Sequence, residues 1–273
     1  AAERYGLADV LEELNRRFEP ILNHDPARLN QHGPWPGLAE WLLFQPDSLP
    51  HSEPCKWPRV HVTKGLEWAC LADQWPQPHL YASVRGGTTR APHTHQDLTA
   101  LNIVCGDEVL VGGVSGPYLD TTFGPRRLEL YEISGASKSL LLVNGVALPY
   151  PDSRVQTQSI SGPGWEGVRM DAHEAASIGS PVSLYFRAVL LLGSSALLVL
   201  DGLRCEFPAQ VEARFHVRGT PHTRKTGAII QGQKHQLVVR FASNQPASLK
   251  KAMGCPTLPD APPDPILRWM SKG

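Results

Sequence analysis

The stretch His93-Thr94-His95-Gln96-Asp97 places three titratable side chains at alternate positions. If the segment is extended, alternate side chains share a face, so His93, His95 and Asp97 line one small surface while Thr94 and Gln96 point away. Three readings fit that set. Neutral imidazoles with a carboxylate oxygen suit zinc. A histidine whose tautomer is fixed by Asp97 can move a proton. The third reading is ordinary hydrogen-bonded or solvated polar residues, and the spacing alone does not choose among the three.

Other residues suggest chemistry more diffusely. His216 in "EARFHV" shares a face with Glu212 and Arg214 if that run is a strand. Arg85, Arg90, Arg126, Arg127 and Lys138 are cations able to hold an acidic ligand, arginine through two donors and lysine as a point charge. Trp57, Trp68, Trp75 and Trp165 offer flat faces for sugar rings, although tryptophans also fill cores and seams between sheets. No dinucleotide-binding glycine loop, Walker A loop, HExxH helix or GxSxG elbow occurs, which removes several common enzyme classes.

Composition narrows the class further. Twenty-six basic residues balance 26 acidic ones, so nothing favours nonspecific nucleic-acid binding. Five cysteines (Cys55, Cys70, Cys105, Cys205 and Cys255) show neither paired metal spacing nor a dense disulfide framework. The most apolar run, "AVLLLGSSALLVL" from Ala188, is broken by Gly193, Ser194 and Ser195 and reads as two buried strands around a turn rather than a membrane span. The opening residues carry no signal-peptide pattern.

The elements that must position these residues are mostly strands. Residues 1–50 hold two short helical patterns: Leu7, Val10, Leu11, Leu14 and Phe18 recur at three- and four-residue steps, and "PGLAEWLLF" follows. From about residue 57 the period shifts towards two. "RVHVTK", "LEWAC", "HLYASV", "LTALNIVC", "EVLVGG", "RLELYEI", "SLLLVNG", "RVQTQSI", "GVRMDA", "VSLYFRAVLLL", "ALLVLD", "QVEARFHV", "AIIQG" and "HQLVVRFA" read as strands. Gaps long enough for a crossover helix are few. The predicted fold is therefore mainly β, a large antiparallel multi-sheet sandwich over residues 51–273 with short N-terminal helices. Ile266 to Trp269 is expected as a terminal edge strand after an irregular proline-rich stretch.

The ordered run "GGTTRAPHTHQDLTALNIVCGDEVLVGG" resembles the C-terminal β domain of the heparinase II/III-like polysaccharide lyases. "SGASKSLLLVNG" is similar to that family's HNTVLVDG strand, and "AVLLLGSSALLVLDGL" followed by "VEARFHV" to a pair of its strands. The resemblance covers most of residues 57–245. It implies a supersandwich-like β domain, an acidic polysaccharide or oligosaccharide partner such as a glycosaminoglycan or alginate, and a periplasmic or extracellular location, with a cytoplasmic one left open. It also implies an N-terminal α/α toroid, of which residues 1–50 hold only the end.

The implied reaction is β-elimination at a uronic acid, which needs a carboxylate neutraliser, a base at C5 and an acid at O4. On this resemblance His93 is the neutraliser or proton-transfer group, His95 orients it, and Asp97 fixes a histidine tautomer. Arg85 and Arg90 are candidates for holding the substrate carboxylate. Some relatives bind zinc through the second histidine of HxH, an aspartate of Asp-x-Gly and the histidine of HNT. Only His95 matches; Gly112 and Lys138 stand at the other two places. No cofactor is therefore expected. Tyr5 lacks the surroundings of the family's catalytic tyrosine. A noncatalytic carbohydrate-binding or structural sandwich is the alternative function, and a zinc hydrolase of cupin-like shape lacks its distant Glu and His.

Overall fold

The computed structural model describes residues 57–90, 93–114, 124–147, 154–172, 182–257 and 263–271. The chain divides into two units at Trp57/Pro58, and all described residues except Trp57 belong to the second. The helices expected before residue 50 lie outside the described residues.

The first half supplies β1 (Val60–Thr63), β2 (Trp68–Ala72), β3 (Leu80–Val84), β4 (Gly87–Thr88), β5 (Leu101–Cys105), β6 (Glu108–Val111), β7 (Leu141–Val143) and β8 (Val146–Ala147). Longer strands follow: β9 (Arg154–Gly162), β10 (Trp165–Asp171), β11 (Val182–Leu192), β12 (Ala196–Cys205) and β13 (Val211–His216). The last are β14 (Thr220–Arg224), β15 (Gly227–Gln231), β16 (Gln236–Arg240), β17 (Ala247–Met253) and β18 (Pro265–Ser271). They form sheets ordered β1-β2-β3-β5-β6, β12-β11-β10-β9-β4, β17-β18-β13-β7-β8 and β14-β15-β16. Among the described residues every strand pairing is antiparallel. The multi-sheet antiparallel fold expected from the period-two pattern is the fold observed.

Alternation explains how the layers close. In β3, Leu80, Ala82 and Val84 are buried while Tyr81 and Ser83 are partly open. One apolar cluster draws Leu71, Ala82, Leu101 and Ile103 from the first sheet and Val155, Val168, Met170, Val189 and Leu191 from the second. Leu141, Val143 and Leu267 join it from the third sheet, and Ala228 and Ile230 from the fourth. Each fully buried aliphatic side chain contributes about 1.5–3 kcal/mol through removal from water. The β11–β12 hairpin turns at Gly193 to Ser195, as the broken apolar run implies, with Gly193 at φ 59°.

Two expected strands differ. "RLELYEI" folds as a 3-10 turn at Arg127–Glu129 followed by reverse turns. Local bonds from Leu130 N to Arg127 O (3.1 Å) and from Ile133 N to Leu130 O (3.1 Å) replace a ladder there. The terminal strand β18 is not an edge: it lies between β13 and β17. The strand covering it, β17, has the sequence ASLKKAM, whose lysines and few large apolar residues weaken the strand signal. The sequence TPHTR of β14 is polar and contains a proline, so it too gave no strand signal.

Candidate functional site

The first and third sheets meet at a seam. The Val111–Val217 bridge, the bond from Gly112 N to His216 O (3.0 Å) and the bond from Leu101 N to Ser139 O (2.9 Å) hold it together. Residues 93–100 cross this seam between the end of β3 and the start of β5. They are not a strand. His93 sits in a turn at φ 64°, and Thr99 has φ 67°. The condition for a shared strand face of His93, His95 and Asp97, an extended segment, is therefore not met. Bonds from Gln96 N to Ile133 O (2.9 Å), from Gly135 N to Gln96 Oε1 (3.1 Å) and from Thr99 N to Arg85 O (2.7 Å) tie the segment to three different neighbours. Among the described residues, no single strand pairs with it.

The turn separates the three side chains by environment. His93 is exposed, whereas His95 and Asp97 are partly buried. Arg85 follows β3 directly and donates to the Asp97 carboxylate, and its Nη2 also donates to Thr88 O at 3.2 Å. Arg90 is exposed, with its backbone N–H bonded to Thr88 Oγ1 at 3.1 Å. Arg85 and Asp97 are thus brought into contact.

Lys138 is the cation that the sequence leaves ambiguous. Its side chain is buried, and Nζ donates to Val114 O (2.6 Å) and Glu132 O (2.7 Å). Burial pulls its pKa down from 10.5 to about 8, against the raising pull of Asp97 and Glu132. Burial also lowers His95 to about 4, helped by the positive charges of Lys138, Arg127 and Arg85. His95 is therefore a neutral imidazole at pH 7 in a field of cations. The Asp97 carboxyl is raised because burial outweighs the pull of Arg85 and Lys138.

The segment rests on a buried support that strand patterning alone does not single out. Arg187 is fully buried on β11, directly across from Asp201 on β12. Its Nε and Nη2 each donate to the Asp201 carboxylate at 2.8 Å, and Nη1 donates to Thr99 O at 2.8 Å. The Tyr185 hydroxyl donates to Thr99 Oγ1 at 3.2 Å. Thr99, a β-branched residue at positive φ, is held from beneath by two side chains of another sheet. A signal existed in the sequence: Arg187 shares the inward parity of Tyr185, Val189 and Leu191, where a charge demands a partner.

The remaining candidates lie outside this cluster or support it. Arg126 forms an exposed ion pair with Glu129. Glu212, Arg214 and His216 do share a face of β13, in a network of structural character. Arg214 and Arg268 donate to Glu212, Arg214 Nη1 donates to Ala136 O (2.7 Å), and the His216 ring lies between the Asp264 carboxylate and Ala136 O.

No protein-family model matches the sequence, and no curated protein sequence does either. Solved structures do. The heparan sulfate lyase HepC from Pedobacter heparinus superposes with a TM-score of 0.64 at 12% identity, covering 97% of this chain and 39% of its own. A heparinase III structure gives 0.64 at 11% identity, covering 83% of this chain and 36% of its own. Another heparinase III gene product gives 0.64 at 11%, covering 96% and 39%. The fold is shared with part of each of these structures. This chain spans about two-fifths of their length, and at such identities the likeness concerns fold.

The zinc that some members of the resembled family carry does not fit the residues here. Gly112 offers no side-chain donor atom, and the Lys138 ammonium gives two of its three protons to carbonyls and has no free lone pair. Among the described residues, no three His, Cys, Asp or Glu side chains converge to hold a metal ion.

Proposed function

We propose that this β domain is polysaccharide lyase-related and that its seam receives an acidic saccharide. The observation that carries the reading is the gathering of three cations, Arg85, Arg127 and Lys138, around a neutral His95, against two carboxylates, Asp97 and Glu132. A uronate or sulfate brings the missing negative charge, and arginine is suited to receive it through paired donors. The likeness to the heparan sulfate lyases supports the substrate class.

The proton-transfer part is less complete within this chain. A base at pH 7 works best with a pKa near that value, and His95 near 4 is too weakly basic in the unliganded state. His95 then orients or hydrogen-bonds the sugar, and exposed His93 is the group left to exchange protons. β-Elimination also needs an acid and a base held together on the sugar. In the longer lyases the rest of the chain is available to supply them. This domain alone is proposed to bind acidic saccharide and to turn it over slowly; a binding domain without catalysis is the alternative.

The test has two arms. Calorimetric titration with heparan sulfate and alginate tetrasaccharides should give binding that a neutral maltotetraose does not, weakened by His95→Ala. Ultraviolet absorbance of the unsaturated product should rise slowly or not at all. Equal binding of neutral and acidic sugars would overturn the charge argument. Rapid turnover abolished by His93→Ala would overturn the assignment of a mainly binding role.

A further inference from the structure

We propose that the outer face of the first sheet is a saccharide-binding strip, with the Trp68 indole as a stacking platform for a pyranose ring beside the Arg85–Asp97 pair. The inference rests on the reading of the seam as an acidic-saccharide site, and it places the neighbouring sugar units.

Trp68 opens β2, and half of its surface is exposed. A single open aromatic ring is ordinary on a protein surface, so it is the position of Trp68 that is informative. Its location follows from register. Ala69 pairs with Val84, so continuing the ladder by one residue sets Trp68 opposite Arg85 on the outward face. The Arg85 guanidinium carbon lies 5.8 Å from the Trp68 ring centroid, while the same guanidinium donates to Asp97. One arginine thus links the indole to the charged seam.

The platform is fixed before any ligand arrives. The loop between β1 and β2 closes with Glu67 N bonded to Thr63 O at 2.9 Å. Glu67 O accepts from Thr157 Oγ1 (2.7 Å) and Gly86 N (3.1 Å), and Glu67 Oε2 accepts from Thr157 N (3.0 Å). Gly86 and Gly87 permit this approach: a Cβ on Gly86 would lie 2.3 Å from Thr157 Oγ1, and Gly87 has φ 81°. The residue before Trp68 is therefore anchored to the second sheet and to the end of β3. A ring presented by a pinned backbone loses little freedom when a sugar stacks on it.

The adjacent row of the same face is polar and short-chained. His61 pairs with Cys70, Cys70 with Ser83, and Ser83 with Asn102, which puts all four on one line across β1, β2, β3 and β5. At one strand spacing per step this line runs about 14 Å. Asn102 Nδ2 donates to Ser83 Oγ at 3.3 Å, and His61 and Asn102 are exposed. Amide, hydroxyl and imidazole groups beside an open indole suit the hydroxyls and the apolar C–H face of a pyranose. The cations at the seam end favour a chain bearing carboxylate or sulfate over a neutral one.

Calorimetry on the whole chain with a heparan sulfate tetrasaccharide and maltotetraose, using wild type, Trp68→Ala, Trp68→Phe and Asn102→Ala, tests the strip. Trp68→Ala should weaken tetrasaccharide binding about ten-fold, and Trp68→Phe, which keeps a ring, by less than about three-fold. Asn102→Ala should fall between wild type and Trp68→Ala. Unfolding curves matching wild type establish that these exposed substitutions leave the fold intact. Wild-type affinity in Trp68→Ala, with loss in His95→Ala, overturns the strip and leaves the acidic seam standing. Trp68-dependent binding that is equal for both sugars keeps the strip and overturns the acidic seam. No binding of either sugar by wild type overturns both.

Discussion

Replacing Arg187 by methionine should destabilise the fold by about 3–5 kcal/mol, because it breaks a buried ion pair and leaves one charge behind. The magnitude follows from the contacts removed. Arg187 makes two 2.8 Å bonds to Asp201 and one 2.8 Å bond to Thr99 O, and its side chain is fully buried. Asp201 keeps 17% side-chain exposure, so water partly solvates the orphaned carboxylate and the loss falls towards 3 kcal/mol. The Thr99 carbonyl, whose residue is itself buried, adds about 1–3 kcal/mol if nothing replaces the donor. Removing Asp201 as well, as Arg187→Met with Asp201→Leu, deletes the stranded charge and should recover about 2 kcal/mol or more relative to the sum of the single variants. Urea unfolding followed by circular dichroism measures all four corners of this cycle. Hydrogen exchange should show faster opening of residues 94–101 in Arg187→Met. A cost below about 1 kcal/mol, or strict additivity of the two substitutions, would refute the idea that this pair supports the seam.

Three other outcomes follow from the same contacts. Nuclear magnetic resonance titration should find His95 with a midpoint of about 4, and Lys138→Met should move it upward towards the ordinary 6.5, because the second-largest cause of its depression is gone. Since the folded His95 pKa lies below its unfolded value, its contribution to stability is full above pH 6.5 and lost as pH falls towards 4. Solvent screening of the half-open ring keeps that loss well below the roughly 3 kcal/mol the full shift would represent, and denaturant midpoints that stay flat over this window, against a His95→Gln control, would contradict it. Elemental analysis after purification without added metal should find no stoichiometric zinc; one zinc per chain, lost in His95→Ala, would contradict the assignment of Lys138 as a buried ammonium donor.

The legible part of the fold was the part where one face of each strand is buried. β3, β9 and the β11–β12 hairpin could be read because apolar and polar residues alternate, or because a turn interrupts a continuous apolar run. "RLELYEI" has the same alternation and still forms turns, since among the described residues no strand pairs with it and its backbone bonds are local. The terminal strand reads as an edge from the sequence because β17, which covers it, is lysine-bearing and mostly solvated. At the seam, the residue types His93, His95, Asp97 and Arg85 could be named from the sequence, but their arrangement could not. The positive φ of His93 and the bonds linking Gln96 to Ile133 and Gly135 arise from contacts distant in sequence. Arg187 and Asp201 become a recognisable pair only once the hairpin register puts them opposite one another.

The claim that the seam is an acidic-saccharide site is tested most directly by following the His95 imidazole resonances while the chain is titrated with a heparan sulfate tetrasaccharide. A bound carboxylate or sulfate offsets the positive charges of Lys138, Arg127 and Arg85 that help depress His95. Saturating acidic tetrasaccharide should therefore raise the His95 midpoint from about 4 by at least one unit, while maltotetraose at the same concentration leaves it unchanged. An unchanged His95 midpoint in the saccharide-bound chain, or an equal rise with the neutral sugar, would contradict the account.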